Sequence, residues 1–173
     1  MKERFRISAL GPADLPRLLE IQEEAFAMMD DKSLLRRNTP KMLACCLSEP
    51  HVTLGAWEGD ALAGFYILYR PTDMDENLAH CLLNIDLTEK VAANSKLCIV
   101  RPAYRGEGLQ RILGTEIERV ARNLGIDLLC GTASPNNMPS CNNFIKQGYT
   151  LNRRLEKYGF TRNLYFKFLQ SAR

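Results

Sequence analysis

The chain has 173 residues, of which 46% are hydrophobic and 25% are charged. This length and balance are typical of one globular domain, so we expect a single domain over residues 1–173. The 23 basic and 20 acidic residues leave a net charge of +3, too small to indicate a nucleic-acid partner. No stretch reaches the ~18 apolar residues of a membrane span, so no membrane partner is expected.

The N-terminus and the cysteines predict a cytoplasmic protein without a metal site. Four of the first six residues are charged and no apolar core follows them, unlike a secretory signal. Six cysteines occur without a Cys-x-x-Cys pair, and the only histidines are His51 and His80. Zinc is therefore not expected, and we expect the cysteines to be reduced and mostly buried.

The first 71 residues predict three strands and two helices. Gly11-Pro12 and Pro50 separate these elements, Asp14 can cap the first helix, and Thr39-Pro40 is a typical helix start. In chain order they are a strand at 5–9, a helix at 15–28, a helix at 40–49, and strands at 51–57 and 61–69.

The stretch from residue 72 to residue 94 has no clear periodicity. It contains acidic residues and a short apolar patch at 82–87. More than twenty irregular residues inside a compact domain usually form a functional loop or hide an element. We expect a loop with one short helical turn at about 76–81.

A strand, a glycine turn and a helix follow at residues 96–124. The strand at 96–100 ends before Pro102, and the turn Arg105-Gly106-Glu107-Gly108 exposes backbone N–H groups. From Leu109 the apolar residues keep helical spacing until Gly125, a typical helix stop. A glycine turn at a helix start can bind a phosphate group, although a glycine-rich connector that binds nothing has the same pattern.

The remaining residues predict one more helix and three strands. They are a strand at 126–131, a helix at 136–147, and strands at 149–155 and 162–168. An early meander followed by a strand–helix–strand unit predicts a mixed sheet with helices on both faces.

Two of these segments resemble motifs of the GNAT N-acetyltransferases, which bind acetyl-CoA. In Val100 to Leu109, Arg105 and Gly108 match the family's central motif, whereas Gln110 stands where the family has Gly or Ala. The segment from Asn137 to Tyr149 resembles the family's asparagine-led helix, which ends in Lys-x-Gly-aromatic. The resemblance implies an α/β (α+β) fold with a mostly antiparallel sheet and a central β-α-β cofactor unit.

The resemblance also implies which residues bind acetyl-CoA. Backbone groups of the central strand would pair with the pantetheine arm and supply an oxyanion donor, and amides of the glycine turn would hold the pyrophosphate. The implied cofactor-binding residues are Cys98, Ile99, Val100, Arg105, Gly106, Glu107, Gly108, Leu109, Gln110, Arg111, Asn137 and Phe144.

The sequence offers alternative candidates for the catalytic acid and for the catalytic base. The position of the tyrosine that commonly protonates the thiolate in this family is occupied by Phe144, which has no proton to give. Ser140 lies one turn earlier on the same helix face, where it either supplies that proton or only helps to start the helix. Asp86 and Glu89 are the nearest acids before the central strand, and an ordered water is the alternative base.

We expect an amine of a small molecule or peptide as the acceptor, bound by a monomer or homodimer. Acids attract a cationic amine and aromatic faces hold it, which argues against an anionic acceptor. The candidates are Asp73, Asp75, Glu76, Asp86, Glu89, Phe26, Tyr69, Tyr158 and Phe160. The alternatives are a CoA-binding sensor without turnover, favoured by Gln110 and Phe144, and a nucleotide-binding protein, which would lack a P-loop lysine.

Overall fold

The computed structural model describes residues 4–170; residues 1–3 and 171–173 of the expected domain lie outside the described residues. Seven strands and four α-helices form in the order that the sequence predicts. They are β1 (Arg6–Ala9), α1 (Leu15–Ala27), α2 (Pro40–Cys46), β2 (Val52–Glu58), β3 (Ala61–Tyr69), β4 (Ala92–Val100), α3 (Leu109–Asn123), β5 (Leu128–Ala133), α4 (Met138–Lys146), β6 (Thr150–Lys157) and β7 (Phe160–Phe168).

The strands form one sheet in the order β1-β2-β3-β4-β5-β7-β6. All neighbouring pairs are antiparallel except β4 and β5, which are parallel and are joined by the crossover helix α3. A parallel pair needs such a crossover because a short turn cannot bring the chain back to the same edge. The predicted mixed sheet with a central β-α-β unit is confirmed.

Helices cover both faces of this sheet. Leu109, Leu113 and Ile117 of α3 and Cys141 of α4 pack on one face. Residues of α1 and α2 pack on the other face, where Leu18, Ile21, Ala25, Leu43 and Cys46 are buried. The amphipathic spacing of α1 and α3 is what places these side chains inward.

The central strand begins earlier than the sequence predicts. β4 starts at Ala92 rather than at Lys96, because Ala92, Ala93 and Asn94 pair with Leu128–Cys130 of β5. The preceding loop is therefore shorter than expected. The helical turn expected at 76–81 is present as a 3-10 turn at Leu78–Cys81, and its Leu78 and Ala79 pack against β5 and β7.

The cysteines are free, as expected, but fewer are buried than expected. Cys46, Cys130 and Cys141 are buried, whereas Cys45 on α2 is exposed. No helix within residues 4–170 is long and apolar enough to cross a bilayer.

Candidate active site

The central feature of the site is a gap between β4 and β5. Their pairing ends at Asn94 and Cys130, so β4 continues without β5 beside it. The register between β3 and β4 also shifts, from Ile67↔Leu97 to Leu68↔Ser95, which leaves Lys96 as an extra residue. An extra residue of this kind bends a strand, and bulges are common next to functional sites.

The free edge of β4 presents backbone groups to this gap. Arg101 N–H donates to the carbonyl of Ala63 at 2.8 Å, so it points towards β3. Successive residues of a strand direct their backbone groups to opposite edges. Cys98 and Val100 therefore present theirs to the gap, whereas those of Ile99 face β3.

The start of α3 lies beside the end of β4 and offers free donors. Gly106 and Gly108 have φ of +83° and +74°, which favour glycine. The N–H groups of residues 106–110 make no hydrogen bond within residues 4–170, whereas Arg111 N–H donates to the Gly108 carbonyl at 3.1 Å. Five consecutive free N–H groups at a helix N-terminus favour an anion.

A cavity of about 620 Å³ opens at this helix start and carries an excess of positive charge. Arg105, Arg111 and Lys146 line it, and none of them is ion-paired within residues 4–170. Glu107 is neutralised by Arg4, whose Nη1 lies 2.8 Å from its carboxylate. The cavity therefore suits a polyanionic ligand.

A second cavity, of about 90 Å³, adjoins the first. Its lining comes from α4 on one face of the sheet and from the α1–α2 loop on the other. The residues that line both cavities, which we call the junction, are Leu35, Cys98, Gln110, Asn137, Ser140 and Asn143. Ser140 is the one hydroxyl among these described junction residues.

The first turn of α4 fixes Ser140 at the junction. The Asn137 carboxamide oxygen accepts a hydrogen bond from Ser140 N–H at 3.3 Å and caps the helix. Asn137 Nδ2 also donates to the carbonyl of Leu34 at 3.4 Å, which connects α4 to the α1–α2 loop. The side-chain hydroxyl of Ser140 makes no hydrogen bond within the described residues.

Gln110 does more than occupy a position where the family has a small residue. Its carboxamide oxygen accepts a hydrogen bond from Asn143 Nδ2 at 2.5 Å, so the side chain links α3 to α4. Both residues belong to the junction, and their contact narrows the opening between the two cavities.

Phe144 forms a wall of the smaller cavity. Its ring stacks on Tyr165 at 4.8 Å and meets Tyr149 edge-on at 5.0 Å. A Cβ added to Gly131 would lie 2.6 Å from this ring, so β5 passes directly beneath it. The ring is held on three sides.

Sequence reasoning missed a pair of hydroxyl groups beside this wall. Ser95 Oγ lies 2.7 Å from the Tyr149 hydroxyl, and Tyr66 and Ser95 line the smaller cavity. Burial raises the pKa of Tyr66 and of Tyr149, so both stay protonated at neutral pH. Tyr66 lies in an apolar run typical of a buried strand, and Tyr149 is more than fifty residues from Ser95 in the chain, so no sequence pattern indicated this polar contact.

The two loop acids proposed as bases are not brought to the site. Asp86 and Glu89 are exposed and line neither cavity. The Asp86 carboxylate accepts from Thr88 N–H at 2.9 Å, and contacts with Thr88 lower its pKa. Within residues 4–170, no three His, Cys, Asp or Glu side chains gather as a metal site.

Glu76 is the loop acid that contacts the lining of the smaller cavity without being part of that lining. It lies 3.8 Å from both Arg36 and Lys96, which line that cavity. Burial lowers the pKa of Lys96, and the side chain of Lys96 is only 6% exposed. Asp73 and Asp75 are exposed.

The four aromatic residues expected at the acceptor side are not equivalent. Tyr158 lines the smaller cavity, and Tyr69 packs beneath the ammonium of Lys96 at 4.8 Å. Phe26 of α1 is buried in the protein core, and Phe160 is exposed.

Comparisons with known proteins agree with this architecture. A sequence profile described as "Acetyltransferase (GNAT) family" matches residues 15–149. No curated protein sequence matches the chain significantly. Three solved structures are similar to this chain over nearly its whole length.

The putative acetyltransferase yncA of Salmonella typhimurium, solved with acetyl-CoA, has a TM-score of 0.73 and 16% identity, over 98% of this chain and 96% of its own. The ribosomal-protein-S18-alanine N-acetyltransferase of Escherichia coli has a TM-score of 0.72 and 16% identity, over 97% and 96%. NAA60 of Arabidopsis thaliana, solved with a bisubstrate analogue, has a TM-score of 0.73 and 16% identity, over 97% and 99%.

The chain shares its overall fold with these acetyltransferase structures. The profile match covers more than half of the chain, and the chain therefore belongs to the GNAT acetyltransferase family. Acetyl-CoA is the cofactor that this membership assigns.

Proposed function

We propose that this protein is an N-acetyltransferase, built as a single domain, that transfers the acetyl group of acetyl-CoA to a primary amine of a small molecule or peptide. The observation that carries the proposal is the junction, where a cationic cavity at the start of α3 meets a second cavity at the gap between β4 and β5. A donor and an acceptor bound in the two cavities would meet there.

The residues of the larger cavity fit the cofactor. The five free N–H groups of residues 106–110 would bind the pyrophosphate, assisted by Arg105 and Arg111. The free edge of β4 at Cys98 and Val100 would pair with the pantetheine arm as an added strand would. Acetyl-CoA supplies an activated thioester, which a neutral amine attacks directly.

Two chain groups would serve the reaction at the junction. The N–H of Cys98 or Val100 would donate to the oxygen that becomes negative when the amine adds to the thioester carbonyl. The Ser140 hydroxyl would pass its proton to the departing sulfur and be reprotonated from solvent. Glu76, rather than Asp86, is the carboxylate available near the incoming amine.

The test is a thiol-release assay with acetyl-CoA and a panel of primary amines, with acetylated product identified by mass spectrometry. Thiol release that depends on the amine, with the acetyl group on nitrogen, supports the proposal. CoA binding by calorimetry without thiol release for any amine would favour the sensor instead. Binding of ATP in preference to CoA would contradict both.

A further inference from the structure

The lining of the smaller cavity holds three buried polar side-chain atoms that lack a hydrogen-bond partner within residues 4–170. Five buried side-chain nitrogen or oxygen atoms lack a hydrogen-bond partner within residues 4–170. Three of them belong to Asn38 and Arg162 of the lining. The fourth belongs to Glu76, which contacts Arg36 and Lys96 of the lining, and the fifth to Trp57. Buried polar groups are almost always paired, so unpaired ones in the lining of a cavity suit a polar ligand.

Arg162 provides the donors of this cluster. The residue is only 3% exposed, lines the smaller cavity, and makes no hydrogen bond through its side chain within the described residues. Its unpaired atoms are Nε and Nη2, two adjacent N–H groups of the guanidinium. This pair forms a fork that matches the two oxygens of a carboxylate.

Asn38 and Glu76 provide the acceptors. The carboxamide oxygen of Asn38 and Oε2 of Glu76 are both buried and accept no hydrogen bond within residues 4–170, although Oε2 lies 3.8 Å from the ammonium of Lys96. Asn38 lines the cavity directly, and Glu76 contacts Arg36 and Lys96 of the lining. Two unpaired acceptors suit the N–H groups of an amine.

The charges at this end of the site favour a ligand that carries a negative group. The cavity lining contains three cationic side chains, from Arg36, Lys96 and Arg162, and no carboxylate of residues 4–170. The carboxylate of Glu76 lies 3.8 Å from Arg36 and from Lys96. An amine without an acidic group would leave the fork of Arg162 buried and unpaired, which costs binding free energy. The sequence led us to expect that loop acids attract an amine at this cavity. The cationic side chains of the lining outnumber the carboxylate of Glu76, so an amine that also carries a negative group suits the cavity better.

We propose that the acceptor is a small amino acid, whose carboxylate binds the fork of Arg162 while its amine lies near Asn38 and Glu76. This inference rests on the proposed function, since it names the acceptor class for the same site. The junction hydroxyl of Ser140 lines the same cavity, so the bound amine would approach the thioester from there.

The test compares matched ligands by calorimetry on the full chain saturated with CoA. The probes are the twenty proteinogenic L-amino acids, the amide of each one, and the corresponding decarboxylated amines where these exist. We expect at least one free amino acid to bind about tenfold or more tightly than its amide, because the charged hydrogen bonds are lost in the amide. Arg162→Met should remove this preference.

A control and a second variant complete the design. Arg154 lies on the neighbouring strand β6, is exposed and lines neither cavity, so Arg154→Met should keep the preference. Arg162→Lys keeps the charge without the fork and should weaken the preference, which provides a readout if the methionine variant does not fold. Circular dichroism checks folding of each variant.

The outcomes separate this inference from the proposed function. Equal binding of acids and amides, binding of no probe, or a preference that survives Arg162→Met would overturn the inference, even if amines were acetylated. A preference that depends on Arg162 but occurs without thiol release would support the carboxylate site and contradict the proposed transfer. Tight binding of inorganic phosphate in place of every amino acid would also overturn the inference.

Discussion

The guanidinium of Arg36 lies over the ring of Tyr158, with 3.7 Å between Cζ and the ring centroid. Arg36 belongs to the α1–α2 loop and Tyr158 to the β6–β7 turn, so the contact joins two segments that are far apart in the chain. Arg36 also lies 3.8 Å from Glu76 in the loop before β4. The side chain of Arg36 therefore connects three segments at the smaller cavity, the end of the site where we propose that the acceptor binds.

Removing the ring of Tyr158 should loosen this end of the site. A cation–π contact contributes ~0.5–2 kcal/mol, so we expect Tyr158→Ala to raise the acceptor KM by about two- to thirtyfold. The KM for acetyl-CoA should not change, since Tyr158 lines only the smaller cavity. Tyr158→Phe keeps the ring and is the matched control. An equal rise in both KM values would indicate a general loss of structure instead.

Gly108→Asp should abolish CoA binding. Gly108 precedes α3 with φ of +74°, and a Cβ there would meet no atom within 4 Å, so the new carboxylate would stand beside the proposed pyrophosphate site. Gly125→Asp is the control, because Gly125 has φ of +73° and equal space at the other end of α3. Calorimetry should show loss of CoA affinity in the first variant only. Unchanged affinity in Gly108→Asp would refute the placement of the pyrophosphate.

The sequence predicted the glycine turn and the helix α3 well because the information is local. Gly106, Gly108 and the apolar spacing from Leu109 determine a turn and a helix within about twenty residues. The start of β4 was missed because Ala92 and Ala93 are recognised as strand only through their pairing with β5. That pairing joins residues more than thirty positions apart.

The acceptor end was not predictable in the same way. Arg36, Glu76 and Arg162 come from three separate segments, and no spacing motif relates them. The sequence did contain one signal. Arg162, Leu164 and Phe166 are alternate residues of the predicted last strand and therefore lie on the same face, which predicts an arginine that faces inward. Asp86 and Glu76 are both carboxylates in the same irregular stretch of sequence, so the sequence alone could not show which of them lies near the cavity.

Ser140→Ala tests whether the junction hydroxyl takes part in the reaction. A positioned acid contributes ~10²–10⁴-fold, so we expect kcat to fall by at least about a hundredfold while the KM for acetyl-CoA changes little. Ser140→Thr retains a hydroxyl and should recover part of the rate. Ser134→Ala is the control, because Ser134 is buried near α4 but lines neither cavity. A loss of less than about twofold would remove Ser140 from the mechanism.

Gly131→Ala should destabilise the protein through the wall of the smaller cavity. The new methyl group would lie 2.6 Å from the ring of Phe144, which Tyr149 and Tyr165 hold in place. Overpacking of this kind costs ~1–3 kcal/mol, and urea unfolding should measure it. Gly11→Ala is the control, because a Cβ at Gly11 meets nothing within 4 Å. Equal stability of the two variants would contradict the tight packing of this wall.

Arg162→Met should make the unliganded protein more stable while removing its preference for a carboxylate. The guanidinium is buried without hydrogen bonds from Nε and Nη2, and burial lowers its pKa, which is the expected effect of lost solvation on a cation. Methionine has a similar length and leaves no unpaired donor, so the free energy of unfolding should rise by ~1–3 kcal/mol. Urea unfolding without ligand measures this gain. Arg154→Met should show no gain, because it removes the hydrogen bond from Arg154 Nε to the Asn163 carboxamide oxygen at 3.2 Å. A fall in stability would mean that Arg162 is held by contacts within the protein, and the fork would then not be free for a ligand.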